Sequence, residues 1–153
     1  MTKFENQPKN IEEELVLIES SVKLTGFGIL ISTEIEDKET LVLNFVPDVE
    51  KFGKDYKMLT LAIFDMMTFT AMRVKQYNIK EISCRFRIAG DKHSMDTRVE
   101  DLVRYRSHTI QNARKKNIDR KQLWKGIRNT DLKNWIKSST YVRLPVKEEA
   151  DVS

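Results

Sequence analysis

Apolar residues change their spacing several times along this chain, and each spacing points to a different element. Residues 1–9 are polar, contain Pro8 and show no period, so they read as a loose N-terminal segment. Asn10 followed by Glu13 is a helix-start signal, and Ile11, Leu15 and Ile18 follow at helical spacing, predicting a short helix over about 11–21. Gly26 to Ile35 is β-branched and alternating, which predicts a strand. Glu36-Asp37-Lys38 reads as a polar turn into a second strand, Thr40 to Val46, and so short a gap makes the pair an antiparallel hairpin ended by Pro47-Asp48.

From Asp55 to Gln76 apolar residues occupy every face of a helix, including Tyr56, Met58, Leu61, Phe64, Met67, Phe69 and Val74. A helix apolar all round is a buried one, and about 22 residues span roughly 33 Å. Thr60, Asp65, Thr68 and Thr70 interrupt it, so it reads as a core helix and not as a membrane span. Ile79 to Ala89 then alternates: Ile82, Cys84, Phe86 and Ile88 point one way, Glu81, Ser83, Arg85 and Arg87 the other. Gly90-Asp91-Lys92-His93 reads as a break. Ser94 is expected to cap a helix running to about Lys116, with Val99, Leu102, Val103, Ile110 and Ala113 as its apolar stripe. Two shorter helices are expected over about 119–128 and 131–138, the second capped by Thr130, with a last short strand from Tyr141 to Val146. The fold class is therefore α+β: an N-terminal helix, an antiparallel hairpin plus third strand packed on a long buried helix, then a basic C-terminal helical segment. One domain is expected over 10–146, flanked by a flexible N-terminus (1–9) and a flexible tail (147–153).

Charge adds what the apolar pattern does not show. The net charge is +4, but residues 1–52 carry five lysines against eleven carboxylates, a net −6. Residues 98–147 carry fourteen basic against four acidic side chains, a net +10. Such asymmetry suits an acidic partner for the C-terminal part, and nucleic acid is the commonest; a solvated helical surface facing the molecule's own acidic half gives the same pattern. The single cysteine, Cys84, allows no internal disulfide, and there is no Cys-x-x-Cys pair. With no long apolar run and no apolar leader, this points to a reducing, cytoplasmic setting without membrane contact. The lean toward Lys, Asn and Ile suits an AT-rich bacterial or phage genome.

Candidate contact residues concentrate between Arg98 and Lys137. Arg104, His108, Arg114, Lys115, Lys116, Arg120, Lys121, Lys125, Arg128, Lys133 and Lys137 recur every few residues, with Tyr105, Trp124 and Trp135 between them. Phosphates attract Lys and Arg, and exposed aromatic faces stack on bases. The same aromatics, with Leu132, can instead dock the segment on the core. The spacing over 119–138 loosely resembles a helix-turn-helix, although Gln122 stands where a small residue is expected. Arg85 and Arg87 share a strand face and make an anion platform if that face is open; if helices cover it, they pair with acids such as Glu34. Arg106 falls inside an apolar stripe and needs a partner, for which Asp65, the only acid in the long apolar helix, is the natural choice: a structural buried pair.

Catalytic signals are sparse. Asp91-x-His93-x-x-Asp96 has ligand types for a divalent metal, and equally suits a turn and a helix start. Glu36-x-Lys38 matches the end of a nuclease triad but lacks a preceding acid. Arg104 and His108 are four apart, one short of the Arg-x4-His spacing of helical RNA-cleaving domains. No phosphate loop, dinucleotide fingerprint or nucleophile elbow is present. The expectation is a non-enzymatic nucleic-acid-binding protein using the basic C-terminal helical face, without cofactor, metal or evident small-molecule substrate. A protein–protein adaptor or inhibitor is the alternative, and a small carboxylate- or metal-dependent nuclease is third.

Overall fold

The computed structural model describes residues 10–52, 56–88, 90–115 and 130–144. The first helix, α1 (Ile11–Thr25), begins where Asn10 accepts a hydrogen bond from the Glu13 N–H at 2.9 Å. It runs one turn past the expected end and stops at Gly26, which takes the left-handed conformation (φ 73°) and returns its N–H to the Lys23 carbonyl. Strands β1 (Gly28–Glu36) and β2 (Thr40–Pro47) pair antiparallel. Asp37 and Lys38 between them both have positive φ, as the tight hairpin turn that matches strand twist requires. A Cβ on Gly28 would come within 2.3 Å of the Val46 carbonyl oxygen, so only glycine fits there.

After the short helix α2 (Val49–Phe52), α3 (Tyr56–Val74) carries the chain across the sheet, and one 3-10 turn (Lys75–Tyr77) leads into β3 (Glu81–Ile88). Then follow β4 (Asp91–Arg98), α4 (Val99–Lys115), α5 (Thr130–Ser138) and β5 (Thr140–Leu144). The sheet has five strands in the order β1-β2-β3-β4-β5, with β2 and β3 parallel and every other pair antiparallel. The class is α+β, with the hairpin and third strand packed on the long helix as expected.

Two expectations are corrected. Residues 91–98 are a strand, not a break and a helix start: Ser94 pairs with Arg85 in the ladder. The following helix begins only at Val99, whose N–H bonds the Lys80 carbonyl at 2.8 Å, with Glu100 and Asp101 in its first turn. The helix expected over 119–128 and the expected flexible ends at 1–9 and 147–153 lie outside the described residues.

The helices share one face of the sheet. Leu41, Leu43 and Phe45 of β2, Ile82, Cys84 and Phe86 of β3, and Met95 of β4 form the core with α3. There α1 packs on β1 and α3, α4 packs on α3, and α5 touches both α3 and α4. Phe64 lies at the centre, 1% exposed, edge-on to the Trp135 ring at 5.2 Å. No helix among the described residues is long and apolar enough to cross a membrane. Replacing Phe64 by Ala should cost about 3–5 kcal/mol in urea unfolding. Phe69→Ala should cost less, because Phe69 is only partly buried; equal losses would mean that the core is centred elsewhere.

Candidate functional site

The expected contact residues fall on two opposite sides of the molecule. Arg104, His108, Arg114 and Lys115 lie exposed on the outward side of α4, and Lys133 and Lys137 lie exposed on α5. Arg104 donates to Asp101 at 2.8 Å and rests over the Tyr105 ring. Arg85 and Arg87 point to the far side of the sheet, away from every described helix, so they cannot act as one patch with the helical cations. Lys116, Arg120, Lys121, Trp124, Lys125 and Arg128 lie outside the described residues.

Trp135 requires a correction: it is 0% exposed, and its Nε1–H donates to the Thr97 hydroxyl at 3.1 Å. It docks α5 on the sheet and has no face to offer a base. Tyr105 is buried too, its hydroxyl held by the Asn134 carbonyl and the Ser138 hydroxyl. The reason is the same for both. An aromatic residue with one polar atom serves well as a core anchor wherever that atom finds a partner.

Asp65 and Arg106 do pair, at 2.7 Å, and Arg106 also donates to the Asp65 carbonyl and to Thr68. The pair is less buried than expected, with 20% and 25% of the two side chains exposed, because it lines a cavity of about 460 Å³ between α1 and α3. A second pair escaped the sequence reading. Glu14 is buried and accepts from Arg73 of α3. Its signal was available, since Glu14 falls on the same stripe of α1 as Ile11, Ile18 and Val22.

On the far side of the sheet no described helix packs, yet Arg85 does not stand beside Arg87 as a platform. It reaches diagonally across β2 to Glu36 of β1, at 2.9 Å, rather than to Glu34. Asn44 bridges Ser32 and Glu34 in the same way. Beside these lies a shallow groove of about 550 Å³, edged by Ile31, Val46 and Val142 and by Arg85, Arg87 and Lys92.

A second cavity, about 530 Å³, opens on the helix side at the same end of the sheet, between α3, α5 and strands β3 to β5. Leu59, Ile63, Met95, Trp135 and Ile136 give it apolar walls. The His93 ring stacks on Phe86 at 5.1 Å and 8°, and its Nδ1 hydrogen-bonds the Tyr141 hydroxyl. Asp91 accepts from two nitrogens of Arg143, the Nε at 2.8 Å. Burial pushes the His93 imidazole below its ordinary pKa, the Arg143 charge lowers it further, and Asp91 opposes.

This arrangement dissolves the metal triad. Strand alternation sends Asp91 and His93 to the helix side and Asp96 to the other, where it accepts from the Ser94 hydroxyl. No group of three metal-ligating side chains occurs among the described residues. Burial raises the Cys84 thiol far above its ordinary value, which removes its nucleophilic form.

Comparison with protein-family models, with curated proteins and with solved structures returned no match.

Two measurements test this geometry. A double-mutant cycle on Asp65→Asn and Arg106→Met should give a coupling of about 0.5–3 kcal/mol; additivity would remove the pair. For His93 the unfolded imidazole titrates near pH 6.5, and the folded one lower. Its contribution to stability is therefore present above about pH 6.5 and lost as pH falls toward the folded value. His93→Phe, which keeps a ring on Phe86, should flatten the loss of stability as pH falls below about 6.5.

Proposed function

We propose that the protein is a non-catalytic binder of single-stranded nucleic acid, and that the strand crosses the β3–β4 hairpin end of the sheet. The observation that carries this reading is Tyr141. Tyr141 is 51% exposed, and its ring lies 5.8 Å from the His93 ring on the same strand face as Arg143. Across the same hairpin Arg87 and Lys92 are cross-strand partners, both exposed. Cations on both sides of an aromatic platform suit a chain that carries a phosphate at every step and a flat base between steps. Arg104, Arg114, Lys115, Lys133 and Lys137 on the helical side add a favourable field without supplying a stacking surface.

A protein partner is the second reading. Ile29, Ile31, Val46 and Val142 are all exposed, the last three along the groove on the open sheet face. Several cations, including Arg73, Lys80, Arg85, Arg98 and Arg104, already face a carboxylate of the same chain. Aliphatic strips with satisfied charges are ordinary protein-contact surface.

Fluorescence anisotropy with a labelled oligo-dT strand and its RNA counterpart, across a salt series, separates the two. Arg87→Gln, Lys92→Gln and Arg143→Gln together should lower the slope of log affinity against log salt by up to about two units, at about 0.7 per phosphate contact on single strands. Tyr141→Ala should weaken binding by about 1–3 kcal/mol with the slope unchanged. Folded protein that binds neither strand at low salt overturns the reading in favour of a protein partner.

A further inference from the structure

Resting on that reading, we infer that the cavity between α3, α5 and the end of the sheet receives one unstacked nucleobase of the bound strand. Three features of the cavity point to a flat, largely apolar group with a polar edge. Its walls are aliphatic and aromatic: Leu59 and Ile63 from α3, Ile136 from α5, and the Phe86–His93–Tyr141 series from the sheet. Its lip carries a carboxylate and a guanidinium side by side, because Asp91 and Arg143 are already bonded to each other. An adjacent acceptor and donor match the Watson–Crick edge of any base, where a donor and an acceptor are also neighbours, so the lip senses that a base is present more than which base it is.

Position supplies the third feature. Phe86 and His93 line both this cavity and the groove on the opposite sheet face that holds Arg87 and Lys92. A backbone lying on those cations rounds the hairpin end to reach the cavity, which Tyr141 borders from its place opposite Met95. The two other cavities fit less well. The one between α1 and α3 is lined by no residue of the β3–β4 hairpin, along which the proposed strand runs. The sheet-face groove is edged by aliphatic residues and by Arg85, Arg87 and Lys92, and has no exposed aromatic ring among the described residues.

The experiment compares oligo-dT with a fully abasic strand of the same length and charge, on wild type and on two variants that narrow the cavity, Ile136→Trp and Thr60→Phe. Ile136 is half exposed and Thr60 partly so, and thermal melts verify that both variants fold. Wild type should prefer the strand with bases by at least about fivefold, the equivalent of one stacked base. Each variant should reduce that preference while leaving the abasic affinity and the salt slope unchanged. A preference that survives both variants overturns the inference but leaves strand binding intact. Failure to bind either strand overturns the functional reading and the inference together. Free dTMP forms a separate arm, monitored through the His93 ring resonances in NMR. Saturation by dTMP that oligo-dT does not compete away would assign the cavity to a free nucleotide and overturn its assignment to a strand.

Discussion

A parallel strand pair cannot be closed by a tight turn, and the β2–β3 pairing imposes that constraint on everything else. The chain must leave the sheet after Pro47 and return at Glu81, and α3 is the element that spans the gap. Lying against one sheet face, α3 buries one side on Leu43, Cys84 and their neighbours. Its remaining sides stay apolar only because α1, α4 and α5 cover them. Three of the polar residues inside it are accounted for. Thr70 donates to the Met66 carbonyl at 2.8 Å, Thr68 donates to the Asp65 carbonyl, and Asp65 meets Arg106. A buried helix therefore tolerates hydroxyls that bond back to their own turn, and a carboxylate that a neighbouring helix neutralises.

Gathering the helices on one side leaves the other sheet face to protect itself with side chains. Val42 lies on that face and is 0% exposed although no described helix covers it. The Arg85–Glu36 pair passes over it from β3 to β1, its long stems shielding the valine while the charged ends remain in solvent. Ser83, next to Val42 in the ladder, has a buried hydroxyl without a hydrogen-bond partner among the described residues. Arg85, which looks like half of an anion platform in the sequence, is thus partly structural.

Elements with strong period were legible in the sequence, and elements defined by their neighbours were not. Ile82, Cys84 and Phe86 alternate with Ser83, Arg85 and Arg87 because one face of β3 is core, and that pattern announces a strand unaided. In contrast β4, with the sequence DKHSMDTR, has Met95 as its only aliphatic residue. Its strand state is imposed by ladders on both sides, to β3 and β5, which override weak local preference. Ser94 and Asp96 resemble cap residues because both hydrogen-bond readily to nearby groups, and in the strand they bond each other instead. The Asp65–Arg106 and Glu14–Arg73 pairs share a signature of a charge placed on an apolar stripe, and only the first was read. The candidate cavity was invisible as a unit, because its polar groups lie about fifty residues apart.

What brings those groups together is the residue the sequence had offered as a contact surface. Tyr141 and Arg143 alternate with Val142 on β5, so both face the helix side, and β5 can place them only if its register against β4 is fixed. Trp135 fixes it. The indole is wedged against Phe64 and bonded to Thr97 of β4, which holds α5 at one point of the sheet. The Ser139 N–H bonds the Ile136 carbonyl, and the Ser139 hydroxyl meets Thr97, so the chain leaves α5 at the level of Asp96 and Thr140 and runs back along β4 from there. Arg143 then falls opposite His93, with Asp91 within its reach. A buried tryptophan thereby controls the position of an exposed tyrosine six residues later. The aromatic that anchors the segment and the aromatic that meets solvent are different residues, because a single ring cannot be fully buried and also present a face to a ligand.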